Sequence, residues 1–261
     1  MKSLHKLSMK TLFIGQNSIH LVLVDSTNSY ASELLRQTKP VEGTLIYTFE
    51  QHNGRGQRGN LWECQPNKNA TFSLILYPAF LPAEKQFLLT KITSLAAADL
   101  MAEILSLSDK TGDIRIKWPN DIYIGNKKIT GILIETSLRE NSVQSAIVGI
   151  GININQLIFN TTATATSLAL LTNKEYDLMQ CIERLCELLE ARYLQLKAGK
   201  FETINSEYTQ RLYQLNDWKD YVCDKQTFKG KIIGVSALGR LQIELESKET
   251  KEFTLKEIVF L

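Results

Sequence analysis

From Gly54 to Gly59 the chain reads Gly-Arg-Gly-Gln-Arg-Gly, a loop that alternates glycines with cations. It matches the dinucleotide fingerprint G-x-G-x-x-G, which has meaning only where a strand precedes it and a helix follows. The upstream half fits, since Gly43-Thr44-Leu45-Ile46-Tyr47-Thr48-Phe49 is β-branched and apolar. The downstream half does not: Asn60-Leu61-Trp62-Glu63-Cys64-Gln65-Pro66-Asn67-Lys68-Asn69 lacks helical periodicity and carries Pro and Asn. A P-loop fails as well, because Asn60-Leu61 stands where Lys and a magnesium-binding hydroxyl are needed. Glycines still let backbone N–H groups approach carboxylate or phosphate oxygens, and arginine adds charge. With Lys117-Trp118-Pro119-Asn120-Asp121 and Lys128-Ile129-Thr130-Gly131 further on, the pattern predicts a site that holds two anions side by side. Repulsion between unit charges at 4 Å is worth about 1 kcal/mol in water and about 4 at an effective dielectric of 20.

The rest of the chain narrows the class. With 261 residues, 44% hydrophobic and 22% charged, it is long enough for one large or two unequal domains around a sizeable core. Thirty cations and twenty-eight anions are mixed along its length, so no basic arm points to nucleic acid and no polybasic patch to a membrane. No apolar run approaches a membrane span and residues 1–10 lack a signal-peptide core, which leads to the expectation of a cytoplasmic protein. Cys64, Cys181, Cys186 and Cys223 form no C-x-x-C pair and are expected to be structural thiols; His5, His20 and His52 are too scattered for zinc.

Periodicity supplies a coarse order of elements. Leu21-Val22-Leu23-Val24 is expected as a short buried strand, with Asp25-Ser26-Thr27-Asn28 capping a helix over Tyr30 to Arg36. Strands follow to Phe49 and over Thr71 to Tyr77, then a long helix from Pro82 to Leu105. Ile114 to Trp118, Ile122 to Ile124, Lys128 to Thr136 and Ser145 to Asn155 are strand-like, with a hairpin turn at Gly125-Asn126. A loop over residues 161–167 precedes a helix from Tyr176 to Leu196. From Tyr213 on, short β segments with glycine turns (Lys229 to Val235, Gly239 to Leu245, Phe253 to Leu255) suggest a small barrel, dividing the chain into residues 1–212 and 213–261.

Five blocks in this order resemble the biotin protein ligases: Asp25-Ser26-Thr27-Asn28, Gln51-x-x-Gly54-Arg55-Gly56 ending at Trp62, Lys117-Trp118-Pro119-Asn120-Asp121, Lys128-x-x-Gly131-Ile132-Leu133-Ile134-Glu135, and Gly149-x-Gly151-x-Asn153. The resemblance covers nearly the whole chain. It implies an α+β fold, a mixed-sheet catalytic domain followed by a small SH3-like β-barrel. Only twenty-four residues precede Asp25, too few for the family's helix-turn-helix, so a ligase without DNA binding is expected. The implied reaction joins biotin to ATP as biotinyl-5′-AMP with Mg²⁺ present, then transfers the biotinyl group to a lysine of a biotin carboxyl carrier domain.

By position, the resemblance assigns Ser26, Thr27, Asn28 and Gln51 to the biotin ring, with Gly56, Gln57 and Gly131 in the same pocket. Helix capping explains the first three equally well, and the two roles are compatible. Arg55 and Lys128 are implied at the carboxylate and phosphates, against solvated loop and hairpin cations. Arg58 and Lys117 are implied near the nucleotide. Trp62 and Asn153 are candidates for adenine, although a tryptophan is as readily a core anchor. Asp121 is a candidate for orienting the carrier lysine or for placing Mg²⁺, and Asn-Asp after Pro is also an ordinary turn. Gln57 departs from the arginine that many members carry there, and a neutral amide cannot form that ion pair. The competing readings are a lipoate or octanoate ligase or transferase of related fold, and a noncatalytic biotin-binding module. A solvent-exposed sheet edge would let two chains pair as a homodimer.

Overall fold

The computed structural model describes residues 9–107, 113–160, 164–255 and 257–261; the side chain of Arg58 also lies outside the described residues. A seven-stranded mixed sheet is built from β1 (Ser18–His20), β2 (Thr44–Thr48), β5 (Asn69–Leu76), β6 (Ile114–Lys117), β7 (Asp121–Ile124), β8 (Lys127–Arg139) and β9 (Ser142–Asn153). Its order is β1-β2-β5-β9-β8-β7-β6, with β1 parallel to β2 and every other pairing antiparallel. The glycine loop forms a separate ribbon, β3 (Gly54–Arg55) against β4 (Leu61–Trp62), joined by a single 3₁₀ turn over Gln57–Gly59. No helix follows it, in keeping with the failed dinucleotide fingerprint.

Alternation along the strands gives the sheet two apolar faces. Ile46, Ile75 and Ile147 meet Ala31 of α1 (Thr27–Gln37) on one side. Leu45, Leu74 and Val148 point to the other, into the main core with α2 (Phe87–Ser106) and α4 (Leu178–Lys197). A short α3 (Leu168–Thr172) and α5 (Phe201–Gln210) complete the helices. α2 is buried on nearly every side because α4 and α5 cover what the sheet does not.

Leu21 to Val24 is not a buried strand: pairing with β2 ends at His20, and Val22 and Leu23 are 70% and 51% exposed at the sheet edge. An apolar run says nothing about whether a neighbour covers it. The first helix starts at Thr27 rather than Tyr30, since Ser26 alone serves as the N-cap, its Oγ accepting from Ser29 N at 3.4 Å. The turn at Gly125-Asn126 is as expected, with Gly125 at φ 58°, a conformation that glycine adopts without a Cβ penalty.

After α5 the chain forms an antiparallel sheet from β10 (Trp218–Cys223), β11 (Gln226–Val235), β12 (Leu241–Leu245), β13 (Thr250–Phe253) and β14 (Val259–Phe260). The order is β13-β12-β11-β10-β14, SH3-like in strand content, with no pairing between the two edge strands among the described residues. β10 and β14 are additions to the three segments visible in the sequence. This sheet touches the rest of the protein through Trp118, whose Nε1 donates to Gly239 O at 3.0 Å. The core runs continuously from Leu45 and Ile116 to Ile232 and Ile258.

Candidate functional site

One cavity of about 260 Å³ opens where the strand ends of β7, β8 and β9 meet the glycine loop and the start of α1. Ser26, Thr27, Asn28, Gln51, Arg55, Gly56, Gln57, Trp62, Lys117, Asp121, Lys128 and Gly131 all line it. Residues spread over a hundred positions of sequence are thus brought to one wall. Leu255, Ile258 and Phe260 close it from the C-terminal segment.

Its inner end is a chain of hydrogen bonds among neutral side chains that ends on the Glu135 carboxylate. Thr27 N donates to Gln51 Oε1 at 3.0 Å, and Ser73 Oγ lies 2.6 Å from Asn28 Oδ1 and 2.8 Å from Thr27 Oγ1. Asn28 Nδ2 donates to Leu133 O at 3.2 Å and to Glu135 Oε2 at 2.9 Å. Ser26, Thr27 and Asn28 therefore both start a helix and face the cavity. Asn120 is held from behind by its Nδ2, which donates to Ile132 O.

The outer end carries the charge, and two of its cations, Arg55 and Lys128, are ion-paired. Arg55 Nη2 lies 2.7 Å from Glu135 Oε1, and Lys128 Nζ lies 2.7 Å from Asp121 Oδ1. The Lys128 backbone is clamped too, its N–H donating to Thr164 O and its carbonyl accepting from Thr166 N. Lys117 Nζ sits between the rings of Tyr123 and Phe260, 5.1 and 5.0 Å from their centroids. Burial lowers the pKa of Lys117, with Asp121 opposing and Lys128 adding to the shift. Burial, and then the Asp121 charge, push the Tyr123 phenol up to about 12.

Trp62 packs as a wall of the cavity. Its indole lies flat on Gly131 and Gly151, where any Cβ would run into the ring, and Lys128 Nζ is 5.6 Å from a ring centroid. Its Nε1 is buried without a hydrogen-bond partner. Asn153 does not line the cavity: it is 3% exposed opposite Asn69 in the β5–β9 register. Its Oδ1 is buried without a partner as well. Arg58, expected near the nucleotide, has its side chain outside the described residues.

Sequence reasoning gave no role to Ser73, Tyr123, Glu135 or Phe260. Ser73 left a local signal, a polar residue at period two with Asn69 and Thr71 in a strand whose other residues are apolar. As for a metal, among the described residues Asp121 is the one carboxylate lining the cavity, and no three His, Cys, Asp or Glu side chains converge. Such a donor set suits a Mg²⁺ that keeps its waters and phosphate ligands and takes one protein oxygen at most.

A mixed sheet whose strand ends carry a glycine-arginine loop, with an antiparallel sheet closing the cavity, defines the class as a ligase-type α+β fold. The chain belongs to the biotin/lipoate A/B protein ligase family, whose model matches residues 21–153. It is 32% identical over 245 residues to the bifunctional ligase/repressor BirA of Bacillus spizizenii, covering 92% of this chain and 73% of that protein. A biotin--[acetyl-CoA-carboxylase] ligase of Paracoccus denitrificans is 34% identical over 138 residues, 51% of this chain and 53% of that one. Among solved structures, the biotin protein ligase from Aquifex aeolicus in complex with biotin and ATP superimposes with a TM-score of 0.76 at 26% identity, covering 94% and 99% of the two chains. No described helix is long and apolar enough to cross a membrane.

Proposed function

We propose that this chain is a biotin protein ligase that activates biotin with ATP and passes it to a lysine of a carboxyl carrier domain. The observation that carries this reading is the joining, in one cavity, of a neutral polar end to a charged end holding Arg55, Lys117 and Lys128. A cyclic urea needs both donors and acceptors, which Thr27, Asn28 and Gln51 offer. A lipoyl or octanoyl tail would leave those buried groups unpaired, at about 1–3 kcal/mol each.

In the first step a carboxylate oxygen of biotin attacks the α-phosphorus of ATP, and pyrophosphate leaves. Arg55 and Lys128 take the charges of carboxylate and phosphate, so that two anions can approach. Lys117, held between two rings, adds positive potential. Trp62 walls the nucleotide. Mg²⁺, if bound, would neutralise further phosphate charge, and Asp121 is the cavity carboxylate that would hold it. In the second step the carrier amine attacks the acyl carbon, AMP leaves, and Asp121 draws in the incoming ammonium before it loses its proton. Residues 1–212 then form the catalytic domain, and 213–261 a barrel that closes the cavity. Four free thiols suit a reducing, cytoplasmic setting.

The test is direct: incubate the pure protein with biotin, MgATP and a carrier domain, and weigh the carrier. One biotinyl amide per carrier, with pyrophosphate and AMP released, is expected. Modification by lipoate or octanoate in place of biotin, or no pyrophosphate with any acid, defeats the reading.

A further inference from the structure

Glu135 stands where two ligand-directed groups converge. Its Oε1 takes Arg55 Nη2 at 2.7 Å; its Oε2 takes Asn28 Nδ2 at 2.9 Å and lies 3.4 Å from Arg55 Nη1. One protein carboxylate thus occupies the guanidinium fork and the amide of α1 together. The pair is 45% and 34% exposed, so solvent screening keeps its net strength low. A weak pair can exchange. In the sheet Glu135 lies opposite Ile147, which offers its charge no cross-strand partner.

We propose that Glu135 is a specificity-determining residue: an internal carboxylate that holds Arg55 in the unliganded site and gives it up to the acid group of the substrate. This rests on the function proposed above. It has a sign that a structural role lacks. If Glu135 competes with the substrate's acid group for Arg55, removing its charge must strengthen binding of the acid and leave a neutral analogue alone. If Glu135 merely holds Asn28 and Arg55 in place, both ligands must weaken together.

The experiment measures dissociation constants for biotin and for its neutral alcohol analogue by titration calorimetry, in the natural protein and in Glu135→Gln. Glutamine keeps an oxygen for Asn28 Nδ2 and discards the charge. Biotin should bind about two- to fivefold more tightly, as loss of an exposed ion pair allows; the alcohol should be unchanged, and the gain should vanish when Arg55→Gln is added. Biotin binding that is unchanged or weaker, an equal shift for both ligands, or a gain that survives Arg55→Gln overturns the proposal. Should thermal unfolding show that Glu135→Gln is not folded, Glu135→Asp, one methylene shorter, must move biotin in the same direction. Failure of the natural protein to bind biotin at all would instead count against the proposed function.

Discussion

Lys128 Nζ and Asp121 Oδ1 lie 2.7 Å apart across the β7–β8 ladder, each side chain 25% exposed. A bulge between Ile122 and Tyr123 shifts the register there, setting Tyr123 opposite Lys128 and Asp121 opposite Gly131. The pairing separates two roles that substitution can test. Lys128→Ala removes the charge that meets carboxylate and phosphate, and should lower biotin-dependent pyrophosphate release by about 10²–10³, the usual effect of deleting one preorganised donor. Asp121→Asn keeps an oxygen for Lys128 but loses the anion that attracts the carrier amine. Single-turnover measurements should show transfer slowed more than adenylation. Equal slowing of both steps would remove the carrier-lysine role from Asp121.

The indole of Trp62 rests on Gly131 and Gly151. Gly151→Ala puts a methyl group into the ring, and the ring is what must yield, because β9 is hydrogen-bonded on both edges. We expect KM for ATP to rise about tenfold with kcat falling less, the pattern of a misplaced binding wall. Thermal stability should fall by about 1–3 kcal/mol, as for other overpacked sites. Unchanged KM for ATP would place the nucleotide elsewhere.

How much of this site is legible in sequence depends on whether a residue carries its chemistry alone. Arg55, Lys117 and Lys128 announce charge wherever the fold puts them, and glycines around them announce close approach. Their partners do not: Glu135 is eighty residues from Arg55, and only the register of β8 against its neighbours brings the two together. The same limit misplaced the strand at Leu21 to Val24, whose apolar run gives no hint that the sheet edge leaves it uncovered. α5 went unseen because Phe-Glu-Thr-Ile-Asn-Ser-Glu-Tyr-Thr-Gln is mostly polar and buries fully only Ile204 and Tyr208. Tyr208 nonetheless matters to the site, since its hydroxyl donates to Pro119 O at 2.7 Å, behind Asn120 and Asp121.

Far from the cavity, Glu190 of α4 holds the N-terminal turn. Its carboxylate accepts from the backbone N–H groups of Leu12, Phe13 and Ile14 at 2.6, 2.9 and 2.9 Å, and the residue is 5% exposed. Glu190→Ala leaves three donors without that acceptor, and should cost about 2–5 kcal/mol of stability by urea unfolding. Ligase activity per folded molecule should be unchanged below the new midpoint. A loss under 1 kcal/mol would mean that water replaces the carboxylate freely.

Lys91 is a buried cation whose close partners are neutral. It is 2% exposed in α2, with Asn205 Oδ1 at 2.9 Å and the rings of Phe87 and Tyr208 at 5.5 and 5.3 Å. Burial lowers its pKa to about 8, against about 10.4 in an unfolded chain. Between those two values the unfolded chain binds the extra proton, so this group makes stability rise with pH across that window. Below pH 8 the lysine is charged in both states and the cost of burying it is carried in full, on the order of 3 kcal/mol for a shift of this size. Lys91→Met fills the same space without the charge and leaves Asn205, which is half-buried, able to turn toward water. The variant should therefore be more stable than the natural protein at pH 7, by about 1–3 kcal/mol after the lost hydrogen bond is counted. That advantage should shrink steadily toward pH 10. Urea midpoints for both proteins at pH 7 and pH 10 check it, and an advantage independent of pH would show that the lysine does not titrate in the folded state.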